Sequence, residues 1–222
     1  MDIAYFLKQR TGFIRQFYDT ASVPYLDRLT KIEKAQEPWN SAQSDDSEPP
    51  YLDEWLEADE SLQVLGRSCI SMLAATLHAY FEYWANVFEI PIDEDLRPVF
   101  KNKGWLEGYK VYFKRHARID FSTSPSNLAL LAEMILARNR VQHPDSIVLG
   151  GSRYSQTDLD KLKHPFFVDE REMSIFTQGD ANIREWLALP SIRVTSENLS
   201  AAIKEVETFC EWIETADVNP PL

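Results

Sequence analysis

The segment that most constrains this chain's fold runs from Ser61 to Phe88. Ile70, Leu73, Leu77, Phe81, Trp84 and Phe88 recur along it at three- and four-residue intervals, which is the period of one helical face. Met72, Ala75, Ala79 and Val87 fill the remaining faces. A helix apolar on most sides belongs in the middle of a bundle, where every face meets a neighbour. The spacing predicts this helix from Asp53 or Ser61 to Phe88, with Pro91 ending it. His78, Glu82 and Asn86 interrupt its most apolar stretch and make it a poor membrane span.

The same period finds partners for it. A helix is expected from Ile3 to Ala35, with apolar residues at Phe6, Phe13, Phe17, Val23, Leu26, Leu29 and Ile32, kinked or divided at Pro24. Another is expected over Gly104 to Ala117. A fourth, capped by Ser124 or Ser126 with Pro125 in its first turn, runs through Leu128, Leu131, Met134, Ile135 and Val141 to a forced end at Pro144. A last helix opens at Thr195 or Ser196 and carries Leu199, Ile203, Val206, Phe209, Cys210 and Ile213. The stretch 37–50, rich in Ser, Pro and acids, reads as an acidic flexible loop. Segment 147–190 is irregular, with Gly150-Gly151 marking a loop and Phe166-Phe167-Val168 and Ser174-Ile175-Phe176-Thr177 patterned for a small hairpin. At 222 residues with only 7 glycines, the expectation is one all-α domain over 1–222. It is a helical bundle with a loop or small hairpin insertion before the last helix.

Cys69 and Cys210 sit in apolar helical contexts without metal or redox spacing, as in a reducing cytosol. The first residues lack the basic start and apolar run of a signal peptide, so the protein is expected to be soluble and cytoplasmic, with no membrane partner. A net charge of −12 argues against general nucleic-acid binding, because phosphate contacts need Lys and Arg. The charge is unevenly spread. Asp45, Asp46, Glu48, Asp53, Glu54, Glu57, Asp59 and Glu60 crowd the 41–60 stretch, which has no base. Lys101, Lys103, Lys110, Lys114, Arg115 and Arg118 crowd 101–118 against Glu107 alone. That second stretch suits phosphate, and suits equally a solvated helix face.

Chemistry concentrates at the end of the fourth helix, in Arg138-Asn139-Arg140-Val141-Gln142-His143. A histidine titrating near neutrality can take a proton from a ribose 2′-hydroxyl or return one to a leaving oxygen. An arginine offers fixed donors to a phosphate whose charge grows in the transition state. Asn139 can orient the imidazole or donate to a phosphate oxygen. Asn139 and His143 share a helical face, whereas Arg138 and His143 lie about 140° apart. These two converge only if the helix unwinds at His143 or a second copy completes the site across a two-fold axis. The plainer alternative is a helix C-terminus whose cations answer the macrodipole. His78, His116, His143 and His164 are scattered without ligand spacing, so neither a metal nor another cofactor is expected. His78 and Glu82, four residues apart, read either as a supporting pair near the site or as a buried hydrogen-bonded pair.

The run R-N-R-V-Q-H from Arg138 to His143, following the aromatic helix His78-Ala79-Tyr80-Phe81-Glu82-Tyr83-Trp84, resembles the HEPN signature. The resemblance covers 61–143 and 196–214. It implies a HEPN-like bundle forming a homodimer, and a metal-independent endoribonuclease that leaves a 2′,3′-cyclic phosphate. Such enzymes act as toxins or antiphage effectors, with an antitoxin protein as a possible partner. By position Arg138, Asn139 and His143 are the catalytic set, with Glu82 a weaker supporting residue. Beside that carry-over, His78 is expected to support the site through Glu82, and Lys110, Lys114, Arg115, Arg118 and Arg140 are the expected RNA contacts from their charge. Where one HEPN subgroup has a tyrosine two after the histidine, this chain has Asp145, so that subgroup's regulation is not carried over. The alternative is a non-catalytic HEPN-like module that binds nucleotide, RNA or a protein partner as a sensor or regulator, which the acidic balance favours.

Overall fold

The structure, a computed structural model, describes residues 2–40, 49–143, 152–162, 164–178 and 189–216. Among them are eight α-helices and no β-strand: α1 (Ile3–Glu33), α2 (Leu52–Phe88), α3 (Arg97–Lys103), α4 (Trp105–His116), α5 (Leu128–Gln142), α6 (Gln156–Lys161), α7 (Glu170–Gln178) and α8 (Ser196–Thr215). The chain is an all-α helical bundle with α2 at its centre. Helix α2 lies against α1, α4, α5 and α8, as a helix apolar on most sides must. No helix of the described residues is long and apolar enough to cross a membrane. Of the acidic loop, residues 41–48 lie outside the described residues, as do 147–151, 163 and 179–188 of the 147–190 segment.

The core gathers around Phe81. Its ring stacks on Tyr109 at 5.1 Å and on Phe121 at 5.6 Å, and meets Phe113 and Phe209 edge-on at 5.6 and 5.8 Å. Three separate chain segments therefore close on one side chain, with stacked and T-shaped geometries that add to their burial. Cys69 and Cys210 are buried free thiols. Burial pushes the Cys69 thiol up to about 11, and Cys210 is raised as well, again by burial.

Helix α1 departs from its expected face. Leu7, Thr11, Ile14, Tyr18 and Ser22 are buried, whereas Phe6, Phe13, Phe17, Val23 and Leu26 are exposed. Thr11 donates to Glu207 of α8, and Lys8 pairs with Glu211, so the face that α8 can satisfy is the one that turns inward. The helix continues through Pro24 without dividing. Helix α3 was not expected, and α5 starts later than its serines suggest. Asn127 caps α5 by accepting from Leu130 N–H at 3.1 Å, while Ser124 and Ser126 form the turn before it.

The expected hairpin is absent. Phe166–Val168 is a bend, and Ser174–Thr177 lies inside α7, whose first turn Asp169 supports by accepting from Arg171 and Glu172 N–H. In its place, a single bridge joins Arg153 to Ser191, and 191–194 crosses α2 at Gly66. There a Cβ would stand 2.7 Å from the Val194 carbonyl oxygen, so glycine is what permits the approach. Beside it, Val194 N–H donates to buried Gln63.

Candidate active site

The first turns of α5 are anchored on the core by Leu130, Leu131, Met134 and Ile135. Midway along the helix sits Glu133, an acid within an apolar run and only 4% exposed. Its Oε1 accepts from Tyr154 Oη at 2.9 Å, Phe166 N–H at 2.7 Å and Phe167 N–H at 3.0 Å. Burial raises this carboxyl above its ordinary value, with the three donors opposing. Glu133 thereby ties the 152–168 segment to the helix that carries the motif. It went unnoticed in the sequence, where the signal was a lone acid between Leu131 and Met134.

About two and a half turns further on, α5 ends. Gln142 is its last residue, and His143 leaves helical geometry at φ −129°, ψ 69° while its N–H still donates to the Asn139 carbonyl at 3.0 Å. Proline at 144 is the sequence-level cause. Arg138 is half-buried, and Asn139 and His143 are exposed. Arg138 Nη1 donates to Asn139 Oδ1 at 2.9 Å, so the guanidinium and the amide are aligned side by side. Neither Arg138 nor His143 forms an ion pair among the described residues, and no hydrogen bond joins the two. Within one chain, then, the structure brings Arg138 to Asn139 but leaves His143 apart from Arg138.

Arg140, expected at RNA, is otherwise engaged. Its Nε donates to Asp158 Oδ2 at 2.7 Å and its Nη2 to Ser155 Oγ at 2.9 Å. Ser155 and Asp158 form the capping box of α6, so Arg140 clamps that short helix to the end of α5. Burial works against the Asp158 charge, but Arg140 and Ser155 together hold its carboxyl below the ordinary value.

The stretch expected to contact phosphate is largely paired with local acids. Lys110 meets Glu107 at 3.5 Å and Lys114 meets Asp120 at 2.7 Å. Arg115 reaches Asp93 at 2.6 Å and grips Asp95 through both terminal nitrogens at 3.0 Å, holding the Asp95 carboxyl below its usual range. Arg118 is exposed in left-handed geometry at φ 58°. His116 is half-buried against Tyr112, with Nε2 3.1 Å from Asp93. Apart from Glu107, which lies on α4 itself, the acids come from 93–95 and from beyond the helix, so the basic run did not reveal these pairs.

His78 and Glu82 are not the buried pair that their spacing suggested. Their side chains are 37% and 56% exposed, the nearest atoms stand 3.9 Å apart, and the His78 ring lies 4.8 Å from Trp105. No contact links them to Arg138, Asn139 or His143 among the described residues. His164 is exposed. Among the described residues no group of His, Cys, Asp and Glu could hold a metal ion. No protein-family model, no curated protein and no solved structure matches this chain.

Proposed function

We propose that the chain is a metal-independent endoribonuclease of the HEPN type. In this reading His143 moves the proton between the ribose 2′-hydroxyl and the leaving oxygen, Arg138 neutralises the phosphate, and Asn139 orients it. The product is a 2′,3′-cyclic phosphate. What carries the reading is that Arg138, Asn139 and His143 stand at the exposed end of α5, with neither the guanidinium nor His143 committed to an acid among the described residues. A structural cation would resemble Arg140, which is so committed. Because Arg138 and His143 do not meet within one chain, the active form in this proposal is a homodimer whose two helix ends share the scissile phosphate. A toxin or antiphage role controlled by an antitoxin follows from the same resemblance.

The test is incubation of purified protein with total RNA in EDTA, wild type beside His143→Ala. Cleavage by the wild type alone, leaving cyclic-phosphate ends, establishes the proposal. Cleavage that survives the substitution refutes it.

A second reading is favoured by one observation. Lys110, Lys114 and Arg115, which an RNA track would use, are paired with Glu107, Asp120, Asp93 and Asp95. A non-catalytic HEPN-like module, binding nucleotide, RNA or a protein partner as a regulator, needs no such track. It is distinguished by binding that Arg138→Ala weakens, without turnover in either protein.

A further inference from the structure

Between the end of α2 and α3 lies an open cavity of about 630 Å³ lined by Pro91, Ile92, Arg97, Phe100 and Lys101. Its wall is apolar, and two cations stand on its rim. Arg97 and Lys101 are four residues apart on α3, hence on one face of that helix. Their charges are not spent elsewhere, since neither forms an ion pair among the described residues. The neighbouring acids are: Asp93 and Asp95 are both taken by Arg115. That leaves Glu94 against Arg97, Lys101 and Lys103 in the 91–103 stretch, a local positive excess on a chain of net charge −12.

The aromatic wall is also fixed in advance. A Cβ on Gly108 would lie 2.5 Å from the Phe100 ring, so the absence of a side chain there lets the ring seat directly on α4. Tyr109 holds it edge-on at 5.1 Å. Behind the cavity, Tyr112 Oη donates to the Ile90 carbonyl at 2.7 Å and fixes the chain leading into Pro91 and Ile92. An apolar wall set by packing, with a few charged groups at one edge, is the general form of a small-molecule site. Little ordering is needed to bind there.

From this charge complementarity we propose that the cavity binds a small organic anion with an aromatic body. Its carboxylate, phosphate or sulfonate head lies between Arg97 and Lys101, and its ring lies against Ile92 and Phe100. The head alone meets two solvated cations, which bind a simple anion weakly. The body alone meets an apolar wall with no direction. Both together combine charge-assisted hydrogen bonds with apolar burial. The site is distinct from Arg138, Asn139 and His143 and does not depend on whether the chain cleaves RNA.

The test uses the full-length His143→Ala protein, so that binding is read without turnover. 1-Anilinonaphthalene-8-sulfonate is titrated by fluorescence and competed with 1-naphthoate, inorganic phosphate and neutral 1-naphthalenemethanol. Saturable binding displaced by 1-naphthoate, but not by the other two at equal concentration, is expected. Arg97→Gln with Lys101→Gln is expected to weaken binding about tenfold or more. Arg10→Gln with Arg15→Gln, exposed on α1, is expected to leave it unchanged. Amide resonances of 91–101 are expected to shift on adding 1-naphthoate, which locates the site without any substitution. Binding that is equal for the neutral analogue, unaffected by the Arg97 and Lys101 substitutions, or absent from the 91–101 resonances overturns the proposal.

Discussion

Replacing Glu133 by alanine removes the single oxygen that three donors share. Tyr154 Oη, Phe166 N–H and Phe167 N–H would each lose an acceptor in a site where Glu133 is 4% exposed and Tyr154 is fully buried. An unsatisfied buried donor costs about 1–3 kcal/mol. Relief of the buried charge and partial entry of water offset some of this, so the net loss is expected at about 3 kcal/mol. With a urea slope near 2 kcal/mol per molar, the unfolding midpoint should fall by about 1.5 M. Glu133→Gln keeps one acceptor oxygen in place and discards the charge, and is expected within about 1 kcal/mol of wild type at pH 7. The pH dependence separates the two contributions. Burial raises the folded carboxyl above its unfolded value, so the folded state binds the proton more tightly, and wild type loses stability as pH rises through that window. Glu133→Gln has no such loss, so relative to wild type it should gain stability as pH rises above the ordinary carboxylate range. Urea unfolding followed by far-ultraviolet circular dichroism measures all of this. If Gln costs as much as Ala, the charge rather than the acceptor holds the segment, and the reasoning fails.

Two glycines provide opposite expectations for the same substitution. Gly66→Ala gains helix propensity but drives a Cβ to 2.7 Å from the Val194 oxygen, so thermal unfolding should report a net loss of about 1–2 kcal/mol. Gly12→Ala, with nothing within 4 Å, should gain about 0.5–1 kcal/mol. Arg140→Ala strands buried Asp158 and should cost about 2–3 kcal/mol, whereas Arg138→Ala should change stability by less than about 0.5 kcal/mol and, under the proposed ribonuclease reading, abolish RNA cleavage. Equal stability losses from the two would make Arg138 a structural cation. Cys69 and Cys210, buried and raised in pKa, should react with a thiol reagent only at the rate of unfolding; rapid native labelling would contradict their burial.

The helices were legible where one physical signal governs them. The period through Ile70, Leu73, Leu77 and Phe81 gave α2, and Thr195, which accepts from Asn198 N–H, gave the start of α8. Which face α1 buries was not legible, because Phe6–Phe13–Phe17 and Leu7–Ile14–Tyr18 both keep helical spacing. The choice is made by Glu207 and Glu211 on a helix almost two hundred residues away in sequence. The hairpin reading failed for a related reason. Short apolar runs such as Ser174–Thr177 fit strand or helix alike, and Asp169 at the start of α7 supplied the deciding contacts.

The end of α5 shows how far a motif can be read from spacing. Arg138 and Arg140 are the same residue type two positions apart, and a helix turns about 200° between them. One therefore faces Asp158 and Ser155 and holds α6, while the other donates only to Asn139 among the described residues. Composition counts both as basic charge available to phosphate, although a guanidinium bound to a buried carboxylate contributes little field outside the protein. The same distinction runs through 107–120, where Lys110, Lys114 and Arg115 of a basic run in sequence are held in ion pairs in space. Spacing fixes which residues can share a face, but the acids brought in by distant segments fix which charges remain available. By that criterion Arg138 at one end of the bundle, and Arg97 with Lys101 beside the α3 cavity, are among the cations still available to a ligand's negative charge.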